Sequence, residues 1–104
     1  MESLNRLTIS THVLDLAAGG RAAGVAVKLL GPDGLGVGAG QTDADGRLQF
    51  EGDFPPGDYT LRFELETVTE LYRSVSLEVR LGEQRHHHLP VLVSPFGLSV
   101  YRGS

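Results

Sequence analysis

Tyr59-Thr60-Leu61-Arg62-Phe63-Glu64-Leu65-Glu66 is the stretch on which the fold turns. Tyr59, Leu61, Phe63 and Leu65 alternate with Thr60, Arg62, Glu64 and Glu66, and period two is the signature of a strand with one dry and one wet face. A helix would scatter those apolar side chains around its circumference. Before it, Phe54-Pro55-Pro56-Gly57-Asp58 is turn chemistry, with Pro presetting φ and Gly accepting unusual backbone angles. After it, Thr67-Val68-Thr69-Glu70 has the spacing of a capping box, which predicts one short helical turn through Leu71-Tyr72. Such a turn needs tertiary support to persist.

The same alternation continues in both directions. Val75, Leu77, Val79 and Leu81 form the next strand, Gly82-Glu83-Gln84 turns, and His86 to Val93 runs as a strand up to Ser94-Pro95, with a last short strand over 98–101. Toward the start, Thr42-Asp43-Ala44-Asp45-Gly46 turns the chain into Arg47-Leu48-Gln49-Phe50, where Leu48 and Phe50 face inward and Arg47 faces away. Gly36–Gln41 is glycine-rich and weakly patterned, as an edge strand is. Gly31-Pro32-Asp33-Gly34 is a turn below Val25-Ala26-Val27-Lys28-Leu29, and Gly19-Gly20 breaks that strand from the first, where Leu7, Ile9 and Val13 oppose Thr8, Ser10 and His12. About eight short strands separated by turns predict an all-β antiparallel sandwich with one helical turn.

Composition narrows the function. A chain of 104 residues is read as a single domain, 1–104, with room for one core and no more. Net charge is −4 with no basic stripe, which argues against nucleic acid or an anionic membrane as partner. With no cysteine there is no disulfide framework, thiolate nucleophile or thiolate metal site. Met1-Glu2-Ser3-Leu4-Asn5-Arg6 has neither a basic leader nor an apolar core, so a cytoplasmic protein acting on a small molecule is expected.

The candidate chemistry lies on polar strand faces and at the end of the chain. His12 sits on the wet side of the first strand, His86 and His88 share one face of a later strand, and Arg47 opens a strand from a polar turn. After the apolar run Leu89-Pro90-Val91-Leu92-Val93, the sequence finishes on Tyr101-Arg102-Gly103-Ser104, a phenol, a guanidinium and a hydroxyl placed close behind a paired strand. Taken singly, a strand histidine is usually a hydrogen-bonding group and a polar tail is usually solvated. His86, His88 and His12 could also ligate zinc, although no carboxylate is identifiable to orient them. Asp43-Ala44-Asp45-Gly46 lacks the closing Glu and the remaining ligands of an EF-hand loop and reads as a turn.

Three stretches taken together resemble the 5-hydroxyisourate hydrolases, the enzymatic branch of the transthyretin-like family. They are Ser10-Thr11-His12-Val13-Leu14-Asp15, Thr42-Asp43-Ala44-Asp45-Gly46-Arg47, and His86-x-His88-x-Pro90 through Tyr101-Arg102-Gly103-Ser104. The resemblance covers nearly the whole chain. It implies a transthyretin-like sandwich that hydrolyses 5-hydroxyisourate to 2-oxo-4-hydroxy-4-carboxy-5-ureidoimidazoline in urate catabolism, without metal or cofactor. It further implies catalytic roles for His12, Arg47, His88 and Ser104, substrate binding by His12, Arg47, Tyr101, Arg102 and Gly103, and a homotetramer built as a dimer of dimers. Water activation falls to His12 and His88, with either as base, and oxyanion binding to Arg47. Arg47 is expected to keep both imidazoles neutral.

The sequence departs from the family pattern in places. His87 replaces an aromatic residue, Leu98 a Tyr, Val100 a Thr and Ala22 a Pro, and the 66–74 segment is shortened. Two other readings compete: a non-enzymatic ligand carrier of the transthyretin kind, and a structural sandwich module similar to the carboxypeptidase regulatory-like domains. Neither needs the histidines or an ordered tail.

Overall fold

The computed structural model describes residues 6–82 and 86–103. Ser104 and the Glu83-Gln84 portion of the expected turn lie outside the described residues. Among the described residues, nine strands form two sheets: β1 (Arg6–Asp15), β2 (Gly20–Arg21), β3 (Ala26–Leu30), β4 (Gly36–Gln41), β5 (Arg47–Asp53), β6 (Gly57–Glu64), β7 (Ser74–Leu81), β8 (His86–Val93) and β9 (Leu98–Val100). One sheet runs β4-β3-β6-β7, and the other runs β2-β1-β8-β9 with β5 also paired to β1.

Alternation places the core as expected. Tyr59, Leu61 and Phe63 of β6 with Val27 and Leu29 of β3 meet Leu7, Ile9 and Val13 of β1 and Val91 and Val93 of β8, all of them buried. Leu65 is buried just beyond the end of β6. Burying a large apolar side chain of this kind contributes roughly 1.5–3 kcal/mol each. Both sheets therefore keep one polar face, and the face of β1, β5 and β8 that carries Thr8, Ser10 and His12 stays accessible.

Three features differ from the sequence reading. The sandwich is mixed, because β1 and β8 pair in parallel from Thr8↔His86 to Asp15↔Val93, while the other pairings are antiparallel. A ninth strand, β2, is too short for alternation to announce it. The expected helical turn is a tight turn instead. Val68 N and Thr69 N both donate to Leu65 O, and Thr69 rather than Thr67 supplies the hydroxyl that accepts from Leu71 N at 3.2 Å. Thr69 Oγ1 and Tyr72 Oη then reach Pro95 O and Phe96 O, which docks the turn on the loop between β8 and β9 before a helix can propagate.

Candidate active site

The polar face of the five-stranded sheet is assembled by register. His12 of β1 stands opposite Arg47 of β5, and Ser10 opposite Gln49. On the other side of β1, Ser10 is level with His88 and Thr8 with His86. Cross-strand neighbours on one face lie within side-chain reach, so residues far apart in sequence share a surface. A groove of about 650 Å³ opens there, lined by Ser10, Thr11, Gln41, Asp43, Arg47, Leu48, Gln49, His86 and His88. Its size suits a small molecule.

Arg47 is presented by a rigid loop. Asp43 Oδ1 accepts from Asp45 N at 2.9 Å and from Arg47 N at 3.0 Å, and Asp43 N donates to Arg47 O at 2.8 Å. The donors at Arg47 N and then Asp45 N hold the Asp43 carboxyl below its usual pKa. Gly46 has φ +78°, and a Cβ there would lie 2.5 Å from Val13 O, so the loop can press on β1 only with glycine at this position. Buried Thr42 closes the loop's base, donating to Ala22 O at 2.6 Å and accepting from Val25 N at 2.9 Å. The Arg21–Asp45 ion pair is exposed and adds little.

The histidines are oriented by their partners. His12 Nε2 lies 2.8 Å from Asp45 O, and since a carbonyl only accepts, Nε2 carries a hydrogen and in the neutral ring the lone pair is on Nδ1. His88 Nδ1 lies 2.8 Å from Ser10 Oγ. The His88 pKa is lowered below the ordinary 6.5, chiefly by burial and then by His86, Arg47 and His12, against a smaller opposing effect at Ser10. Arg47 thus helps keep this imidazole neutral, as expected, with desolvation the larger cause. Thr8 Oγ1 contacts His86 Nδ1. Among the described residues no three His, Asp or Glu gather closely enough to hold a metal ion, so the zinc arrangement of His12, His86 and His88 is not formed.

The tail returns to the same face. Pro90 O accepts from Tyr101 N at 3.4 Å, but Pro90 has no hydrogen to return, so the β9 ladder ends at Val100. Pairing resumes at His88↔Gly103, with Gly103 N donating to His88 O at 2.7 Å. A Cβ on Gly103 would lie 2.5 Å from His88 Cδ2, so the backbone itself lies against the imidazole. The structure brings His12, Arg47, His88 and Gly103 together, with Tyr101 and Arg102 exposed at the margin. Ser10, Gln41, Asp43 and Gln49 also line the groove, and the sequence reading gave them no role. Period two places Ser10 on the same face as His12 and Gln49 on the same face as Arg47, which was the available signal.

The model of the HIUase/Transthyretin family matches residues 9–103. The chain belongs to this family. A 5-hydroxyisourate hydrolase of Mesorhizobium japonicum is 37% identical, with 92% of this chain and 91% of that protein covered. Among solved structures, Klebsiella pneumoniae 5-hydroxyisourate hydrolase superposes with a TM-score of 0.84 at 34% identity, covering 94% of this chain and 99% of that one. Sea bream transthyretin in complex with thyroxine has a TM-score of 0.80 at 25% identity, over 91% of this chain and 93% of that one. The family's two branches therefore share this fold, and the transthyretin-like sandwich expected from the sequence is the one observed.

Proposed function

We propose that this chain, as one domain over 1–104, opens the ring of 5-hydroxyisourate by metal-free attack of water, giving 2-oxo-4-hydroxy-4-carboxy-5-ureidoimidazoline. The supporting observation is the convergence of His12, Arg47, His88 and the Gly103 backbone on one groove-bearing face, from stretches distant in sequence. Water bound between the imidazoles gives up a proton as its oxygen attacks the ring carbonyl. His12 Nδ1 has a free lone pair for this, and His88 is neutral near pH 7. The Arg47 guanidinium donates to the carbonyl oxygen as it becomes an alkoxide. Collapse breaks the C–N bond, and the departing nitrogen takes the proton from the imidazolium. Tyr101, Arg102 and Gly103 contact the substrate from the tail, and Ser104 orients a histidine or the water.

The reaction needs neither metal nor cofactor on this reading. The working particle is a homotetramer, a dimer of dimers, whose neighbours wall in a groove that one sandwich leaves open. The cytoplasm is its compartment, since a chain without cysteine gains nothing from oxidising surroundings. Ultraviolet decay of freshly generated 5-hydroxyisourate tests the reading. Wild-type protein accelerates the decay, while His12→Ala and Arg47→Ala each slow it by roughly 10²-fold or more. Decay no faster with wild-type protein than without it removes the enzyme.

A further inference from the structure

A chain of alternating hydroxyls and imidazoles runs along the β1–β8 seam. Thr8 Oγ1 contacts His86 Nδ1, His86 Nε2 lies 3.5 Å from Ser10 Oγ, and Ser10 Oγ lies 2.8 Å from His88 Nδ1. The parallel register creates it, because Thr8 and Ser10 are level with His86 and His88, two residues apart on both strands. A hydroxyl has one hydrogen, so only two polarities satisfy the seam. In one, His88 Nδ1–H donates to Ser10, Ser10 donates to His86 Nε2, and His86 Nδ1–H donates to Thr8. In the other, every donor is reversed and His88 carries its hydrogen on Nε2.

The groove selects between them. The Arg47 guanidinium bears on His88 and disfavours added positive charge there. His88 and Arg47 line the same groove, and Ser10 occupies His88 Nδ1, so Nε2 is the ring nitrogen left over; beside a cation a lone pair there is favoured over an N–H. We propose that Ser10 is a positioning residue: its hydroxyl, oriented by His86, holds His88 with the hydrogen on Nδ1 and leaves the Nε2 lone pair to the groove. The chemical consequence rests on the hydrolase reading above, whereas the tautomer does not. Free imidazole interconverts between its two neutral forms, so this seam converts a mixture into the one form that accepts a proton from water.

The arrangement depends on His86 Nε2 as an acceptor: without it, Ser10 is free to turn its hydrogen toward His88 Nδ1, and the His88 Nε2 lone pair is lost. Other charged or titratable groups on this face are His12 on β1, Arg47 and Glu51 on β5, and Asp43 in the preceding loop.

Two measurements decide. Nitrogen-15 shifts of the wild-type protein at pH 8 report the neutral tautomer directly, and the expected form of His88 has hydrogen on Nδ1, moving toward a mixture in Ser10→Ala. Hydrogen on Nε2 in the wild type overturns the proposal whether or not the protein is a hydrolase. In turnover, Ser10→Ala lowers kcat by about tenfold with KM nearly unchanged, and Ser10→Thr restores it. His86→Ala, at an exposed position, removes the acceptor that orients Ser10 and lowers kcat in the same direction, again with KM nearly unchanged. An active wild type whose kcat survives both alanine variants also overturns the proposal.

Discussion

His88 concentrates the residue-scale physics of this protein. Its imidazole is partly buried, sits near three basic groups and lies against the Gly103 backbone, so the folded state disfavours its charged form. A histidine whose folded pKa is depressed contributes stability that is present above the unfolded value of 6.5 and is lost as pH falls through the folded value. Nuclear magnetic resonance titration of His88 is therefore expected to give a midpoint below 6.5, and Arg47→Gln should raise it only part of the way, because burial is the larger cause. A midpoint at or above 6.5 would contradict this account of the site. His12, Arg47 and His88 stood out in the sequence through their company and the family resemblance, since a strand histidine taken singly is usually only a hydrogen-bonding group. Ser10 and Gln49 were not legible as site residues, because a hydroxyl or an amide acquires meaning only from the partner that register sets opposite it.

At the scale of elements, the dry faces were readable and the partners were not. Alternation in β1, β6, β7 and β8 reflects local burial, which each strand records by itself. Which strand lies beside which is not written in a period of two, and so the parallel β1–β8 pairing emerged only from the structure. The capping-box spacing at Thr67 and Glu70 misled for a related reason: docking of Thr69 and Tyr72 on the 95–96 backbone outweighs a local helical preference worth little in so short a segment. The 42–47 loop shows the opposite case, where local chemistry and tertiary need agree. Gly46→Ala should cost roughly 2 kcal/mol or more, from left-handed strain and displacement of Val13 O. Chemical denaturation measures that loss, and turnover well below the melting temperature should fall as well, because Arg47 is carried by the same loop. A variant of wild-type stability and activity would mean that the loop does not press on β1.

At the scale of the whole molecule, the proposed catalyst is a surface rather than a cleft. The groove is walled by β1, β5 and β8 with Gln41 of β4 and Asp43 of the 42–47 loop, and Arg47 and His86 are exposed in the single chain. Association of copies would exclude water and strengthen each charge-assisted contact made to substrate. Sedimentation of active protein is expected to show a four-chain particle, with activity falling on dilution below its dissociation range. Full activity in a single-chain particle would remove the tetramer while leaving the chemistry of one face intact.

The parallel seam also affects how the chain is made. Thr8 and His86 are 78 positions apart, and β1 lies between β5 and β8 at the centre of its sheet. A ribosome delivers β5 early enough to cover one flank of β1, but the flank that receives β8 stays bare until synthesis has passed residue 93. During that interval an unpaired ribbon edge is on offer to any neighbouring nascent chain. The strand pairing that aligns the imidazoles thus also makes this sheet slow to close and vulnerable during translation.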